Sequence, residues 1–270
     1  MKYKLIGTDM DGTLLNDNHE LTEGNIKAIV DIQKKGVKFV LASGRPSFAM
    51  LNYAKQLEMD KYNGYIIAFN GGQLIDMSNG KVIFHEGLDK NDIEKIYEVS
   101  EETGIPMVLY AGDTLYSNKN TELVQFEVSQ CGMKFYEFKS IDELFGLGIK
   151  ETTKCMFIDE SQNILKVEEY MKSKYGKDYF IAISAPIFLE IANKNVDKGK
   201  TMKKLGEITG ISLNEMIAVG DGNNDVPMLA VVEMPVAVSN ANSRIKEMSK
   251  FESSDNNNDA LKIVIEHFFK

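Results

Sequence analysis

The chain has 270 residues, 43% of them hydrophobic and 26% charged, a globular balance that excludes the disordered and fibrous classes. A formal net charge of -9 and a pI near 5.0 argue against nucleic acid or an anionic membrane as main partner, since both call for a basic face. No signal-type apolar stretch precedes Asp9, and nowhere do some eighteen apolar residues run together, so the expectation is a cytoplasmic protein.

Tyr3 to Thr8 alternates as a buried strand and leads directly into Asp9-Met10-Asp11-Gly12-Thr13-Leu14-Leu15. Gly12 permits a tight turn, and two carboxylates crowd the strand end. Like charges this close call for a cation, a retained proton, or both. An Asp-rich turn with no chemistry remains the bland alternative. An EF-hand loop starting at Asp9 fails, because Leu14 stands where that loop needs glycine and a strand precedes it.

Thr22 then caps a helix through Ile26, Ile29, Val30 and Gln33, stopped at Gly36. Val37 to Leu41 reads as a strand ending in Ala42-Ser43-Gly44-Arg45-Pro46, and a helix follows from Phe48 to Leu57. Tyr65 to Phe69 is a third strand ending in Asn70-Gly71-Gly72, and Asn79-Gly80 marks a hairpin. A second alternation then begins: a helix through Ile93, Ile96, Tyr97 and Val99 to Gly104, a strand from Pro106 to Tyr110, and a helix from Leu123 to Val128. Lys154 to Ile158, Ile164 to Tyr175 and Tyr179 to Ile183 continue it as strand, helix and strand.

From Phe188-Leu189-Glu190-Ile191 the first pattern is expected to resume. Asp197-Lys198-Gly199-Lys200 opens a helix to Thr209, and Met216 to Val219 is a strand ending in Gly220-Asp221-Gly222-Asn223-Asn224-Asp225. A helix tolerating Pro227 in its first turn, a short strand from Pro235 to Val238 and a terminal helix from Ala260 to Phe269 complete the chain. This is an α/β pattern: a doubly wound, mostly parallel, Rossmann-like core sheet from residues 1–83 and 190–270, with an inserted α/β domain over 84–189. Cys131 and Cys155 lack any CxxC spacing and read as free buried thiols. His19, His85 and His267 are scattered, and the fourteen methionines read as core fillers.

Parallel strands deliver the residues past their C-terminal ends to one edge, which brings Asp9, Ser43, Asn70 and Asp221 to a common crevice. Asp9 and Asp221, with a backbone carbonyl near Asp11, offer the oxygen-only coordination that Mg2+ prefers, and Asp225 is placed to orient a metal-bound water. Ser43 with the Gly44 amide, Asn224 and the Lys198 ammonium are the donors a phosphate needs. Against this, Lys198 has other lysines close by in the sequence and reads equally well as a solvated helix lysine.

Together these four segments resemble the four ordered motifs of the haloacid dehalogenase superfamily, and the insert is similar to the type IIB cap of its Cof-type sugar phosphatases. The resemblance covers essentially the whole chain. It implies Asp9 as nucleophile, Asp11 as general acid and then base, and phosphate binding by Met10, Ser43, Gly44, Lys198 and Asn224. Asp9, Asp11, Asp221 and Asp225 then form the Mg2+ site. The mechanism implied needs Asp11 protonated while Asp9 stays ionised. Met10 and Ser43 replace a commoner leucine and threonine. Ser239 stands where the family often has glycine, and Asn258-Asp259-Ala260 lacks a usual one.

The expected function is a Mg2+-dependent phosphatase of small phosphorylated metabolites, sugar phosphates foremost, with the insert closing over the site and contacting the leaving group. A phosphomutase would share the aspartyl-phosphate but return the phosphoryl group to substrate. A non-catalytic phosphometabolite sensor would bind without turnover, which the intact Asp9 and Asp11 speak against. Oligomeric state is not encoded in any motif found.

Overall fold

The apolar run ahead of Asp9 is strand β1 (Leu5–Thr8), with every residue buried. Each Leu or Ile side chain removed from water in this way contributes roughly 1.5–3 kcal/mol, which anchors the strand that carries Asp9. The computed structural model describes residues 2–269. Helix α1 (Glu23–Lys34) follows, and the Thr22 hydroxyl accepts from the Asn25 amide as its cap. Strand β2 (Lys38–Ala42), helix α2 (Ser47–Gln56) and strand β3 (Tyr65–Ala68) continue the winding. Strands β4 (Gln73–Asp76) and β5 (Lys81–His85) form the antiparallel hairpin that Asn79-Gly80 signals.

A second compact unit spans Glu86–Asn195. Helix α3 (Lys90–Thr103) begins at a reciprocal Asp89/Asp92 capping box and ends at left-handed Gly104. Strands β6 (Met107–Ala111) and β7 (Thr114–Ser117), helix α4 (Glu122–Cys131), strand β8 (Lys134–Glu137) and helix α5 (Ile141–Gly146) follow. Strand β9 (Lys154–Ile158), helix α6 (Ser161–Tyr175), and strands β10 (Tyr179–Ala185) and β11 (Phe188–Asn193) complete the unit. Its sheet runs β10-β11-β9-β6-β7-β8, antiparallel except for β7 with β8. The segment from Phe188 was expected to resume the first module at residue 190. Instead β11 pairs antiparallel with both β9 and β10, so the insert runs to Asn195 and starts at Glu86 rather than at 84.

The first unit, which runs to His85, resumes at Val196. Helix α7 (Lys198–Thr209) is capped by the Asp197 carboxylate. Strand β12 (Met216–Gly220), helix α8 (Val226–Val231), strand β13 (Met234–Ala237), helix α9 (Ser243–Met248), strand β14 (Phe251–Glu252) and helix α10 (Ala260–Phe268) follow. The sheet order is β14-β13-β12-β1-β2-β3-β4-β5, parallel from β14 to β3. β1 therefore lies between β2 and β12, and its C-terminal end is flanked by theirs. One apolar cluster, including Leu5, Ile6, Phe39, Leu41, Ile67 and Val219, fills this unit.

Asp259 precedes α10 at φ 53, the left-handed conformation a glycine would take in its place, and its side chain makes no capping bond to the helix. It is held there by the Thr22 hydroxyl at 2.6 Å, and its carboxylate lies directly over the Cα of Gly24, where a Cβ would collide. Cys155 is buried and Cys131 half-buried, and both are free. Among the described residues, no helix is long and apolar enough to cross a membrane.

Candidate active site

Asp9 follows β1 and donates its amide to the Val219 carbonyl of β12, so the neighbouring strands fix its backbone. The chain then coils tightly: the Met10 carbonyl accepts from the amides of Leu14 and Leu15 at 3.0 and 2.9 Å. Gly12 makes this turn at φ 77, and its Cα lies against the Asp221 carboxylate. The Met10 side chain is wholly buried, so its part in any site falls to its backbone.

Lys198 opens α7 with its ammonium entirely buried. Its Nζ donates to Asp9 Oδ1 at 2.5 Å and to Asp225 Oδ1 at 2.6 Å. This rules out the solvated-lysine alternative. Asp225 Oδ2 accepts the amides of Asp221 and Gly222, both at 3.0 Å. Asp225 was expected to orient a metal-bound water, but its carboxylate is fully buried and already accepts three donors. It holds Lys198 and the turn. Thr13, which the sequence places inside the motif without a role, donates its hydroxyl to Asp221 Oδ1 at 2.6 Å.

Ser43 and Gly44 form the turn after β2. Ser43 is 2% exposed, and its Oγ accepts the Arg45 amide at 3.1 Å, which leaves the hydroxyl proton to donate. Asn224 is exposed, and its Nδ2 donates to Asn70 Oδ1 at 3.1 Å. Asp11 is engaged by two side chains the sequence left without a role. Arg45 grips it in fork geometry, Nε to Oδ2 at 2.8 Å and Nη2 to Oδ1 at 2.6 Å, and His19 Nδ1 lies 3.2 Å from Oδ1. Arg45 had a signal in its place within the second motif. His19, reached through a left-handed turn at φ 58, had none.

Burial and neighbouring charges set the two acids of the first motif apart. Burial pushes the Asp9 carboxyl up to about 8, against the pull of Lys198 and with Asp225 and Asp221 adding to the rise. Burial also acts to raise Asp11, but the hydrogen bonds and charge of Arg45, with His19, outweigh it and hold Asp11 below the usual range. In the protein alone, then, Asp9 is the acid that retains a proton and Asp11 the one that stays ionised. The Lys198 ammonium loses to burial but gains more from Asp9 and Asp225, so it stays firmly charged. Burial raises Asp221 as well, with the Thr13 hydrogen bond opposing.

Asp9, Asp221 and Asp225 each bring a carboxylate oxygen within 4.8 Å of the others. Three acids facing one ammonium leave the cluster short of positive charge, and its donors are all oxygen. That donor set fits a hard divalent cation, with Asp9 and Asp221 less committed to other donors than Asp225.

The sequence model described as haloacid dehalogenase-like hydrolase matches residues 6–265. A Bacillus subtilis (strain 168) protein named "Putative phosphatase YxeH" is 33% identical over 259 residues, covering 94% of either chain. A haloacid dehalogenase-like hydrolase from Bacteroides thetaiotaomicron superposes with a TM-score of 0.87 at 28% identity, over 99% of this chain and 100% of that one. A subclass IIB sugar phosphatase shares the fold at a TM-score of 0.73 and 21% identity, over 99% of each chain.

Proposed function

The chain belongs to the haloacid dehalogenase-like hydrolase family as a phosphatase, and from that premise we propose that it hydrolyses small phosphorylated metabolites, sugar phosphates foremost, through a phosphoryl group carried on Asp9. The observation that carries this reading is Lys198, buried to the last atom between Asp9 and Asp225 at the C-terminal edge of parallel strands. A lysine has reason to lie there when a carboxylate must be held rigid beside an anionic substrate.

With Lys198 on Oδ1, rotation of the Asp9 carboxylate is fixed and Oδ2 is left to attack phosphorus. As the Asp9 O–P bond forms, the P–O bond to the leaving group breaks, and Asp11 gives the leaving oxygen a proton. In the second step Asp11 takes a proton from water, the water oxygen attacks phosphorus, and Asp9 departs as a carboxylate with release of inorganic phosphate. The Ser43 hydroxyl, the Met10 and Gly44 amides, the Asn224 carboxamide and the Lys198 ammonium would hold the other phosphate oxygens. Asp9, Asp221 and the Asp11 backbone carbonyl would hold Mg2+, which when bound supplies charge that offsets that of the phosphoryl group. Asp11 starts ionised in the grip of Arg45, a state suited to the second step. For the first step that grip must loosen enough for Asp11 to carry a proton.

The test is release of inorganic phosphate from a panel of phosphorylated metabolites in the presence of Mg2+. Asp9→Asn is expected to bring release to background, and chelation of divalent metal to do the same. An Asp9→Asn protein working at the wild-type rate would sink the covalent scheme. Phosphate released in step with substrate consumed separates hydrolysis from a mutase.

A further inference from the structure

Two consecutive residues after β3, Phe69 and Asn70, adopt left-handed backbone at φ 52 and 55. Phenylalanine rarely adopts this conformation, whereas asparagine is one of the few residues besides glycine that does. Asn70 is exposed and Phe69 half-buried, so side-chain burial alone does not hold this turn. Its partners do. The Phe69 amide donates to the Arg45 carbonyl at 3.0 Å and the Asn70 amide to the Ser43 carbonyl at 2.9 Å. The Gly71 carbonyl accepts the Thr201 hydroxyl of α7 at 2.7 Å, and the Asn224 carboxamide donates to Asn70 Oδ1 at 3.1 Å. Gly71, at φ 112, lies so close to the Asp197 carbonyl that no Cβ fits, and the Asn70 carboxamide packs on the Cα of Gly44. One strained turn thus touches the Ser43-Gly44 turn, the N-terminal turn of α7 that carries Lys198, and Asn224. Strain that the surroundings impose so completely marks a place where geometry is held for a purpose.

We propose that Asn70 is a positioning residue for phosphate binding, a role that rests on the phosphatase reading above. Its Oδ1 takes one N–H of the Asn224 carboxamide and so aims the other at a phosphate oxygen. Its packing on Gly44 sets that amide at a fixed distance from Asn224.

The test uses the full chain with p-nitrophenyl phosphate and Mg2+. Asn70→Gly removes the carboxamide while glycine adopts φ 55 readily, so the fold is expected to persist with an unfolding midpoint lowered only slightly by glycine's extra chain entropy and the lost contacts. KM and the inhibition constant of inorganic phosphate are expected to rise together by about tenfold, the scale of one lost hydrogen bond, with a smaller change in kcat. Asn224→Ala should give a similar rise, and the double variant should be no worse than Asn224→Ala alone. Wild-type turnover with an Asn70→Gly KM at the wild-type value, or additive losses in the double variant, overturns this role alone. Absence of turnover by the wild-type protein on this ester and on the metabolite panel overturns the phosphatase reading and this role with it.

Discussion

Asp9 shows how far a neighbourhood can move a single acid. Its carboxyl carries a pKa of about 8 in the fold against roughly 3.9 for a free side chain, so the folded protein favours the proton. The sign follows: the stability tied to this group is complete below the unfolded value and is lost as pH rises through about 8. A divalent cation binds the deprotonated form, so Mg2+ binding should expel close to one proton at neutral pH and tighten about tenfold per pH unit until about pH 8. Calorimetric titration in buffers of different ionisation heat measures that proton, and a Mg2+ affinity independent of pH between about 6 and 9 would refute the assignment. Much of this cluster was legible in the sequence, because acids just past strand ends can go to only one edge of a parallel sheet. The grip of Arg45 on Asp11 was not, since it depends on side-chain reach across 34 positions, and neither was the His19 contact, made by a loop with no periodicity. Lys198 was undecided for a related reason: helical spacing does not say which of several close lysines faces inward.

Among the elements, those with a full apolar run or a capped amphipathic face were readable from sequence, and β7, β8, α5, α9 and β14 were not. β8 alternates only between exposed and half-buried residues, and β14 has two residues, so neither carries a hydrophobic signature. β11 has the alternation of a half-buried strand, but alternation does not specify which sheet will receive it. The glycine missing before α10 has a physical resolution. Asp259 takes the left-handed conformation itself, and the side chain that results requires position 24 to have none. Gly24→Ala is therefore expected to destabilise the protein by about 1–3 kcal/mol through the forced contact, and Asp259→Gly in the same chain to recover most of that loss. Urea unfolding of the two single variants and the double one measures the coupling. Additive behaviour would show that the two positions do not meet.

Along the sequence, one continuous unit, Glu86–Asn195, interrupts a discontinuous one. Glu86–Asn195 has apolar clusters of its own, around Ile93, Met107, Leu109 and Phe157 and around Val108, Tyr110 and Met156, and its length is common for autonomous domains. Expressed alone, residues 86–195 should unfold in a single cooperative denaturant transition, and a gradual, non-cooperative loss of structure would show dependence on the rest of the chain. The first unit has no such independence in time. β1 has β2 as an early neighbour, but its other partner, β12, begins at Met216, and Lys198 and Asp221 also come from the late segment. At about 5–20 residues per second of translation, the ribosome leaves one flank of β1 unpaired and Asp9 without its ammonium for on the order of 10–40 seconds. Throughout that wait the nascent chain presents an open apolar strand edge, and the insert can fold ahead of the site. The machinery around Asp9 is thus completed long after Asp9 itself is made, and a nascent chain cut short before residue 216 has its first acid but no reaction centre.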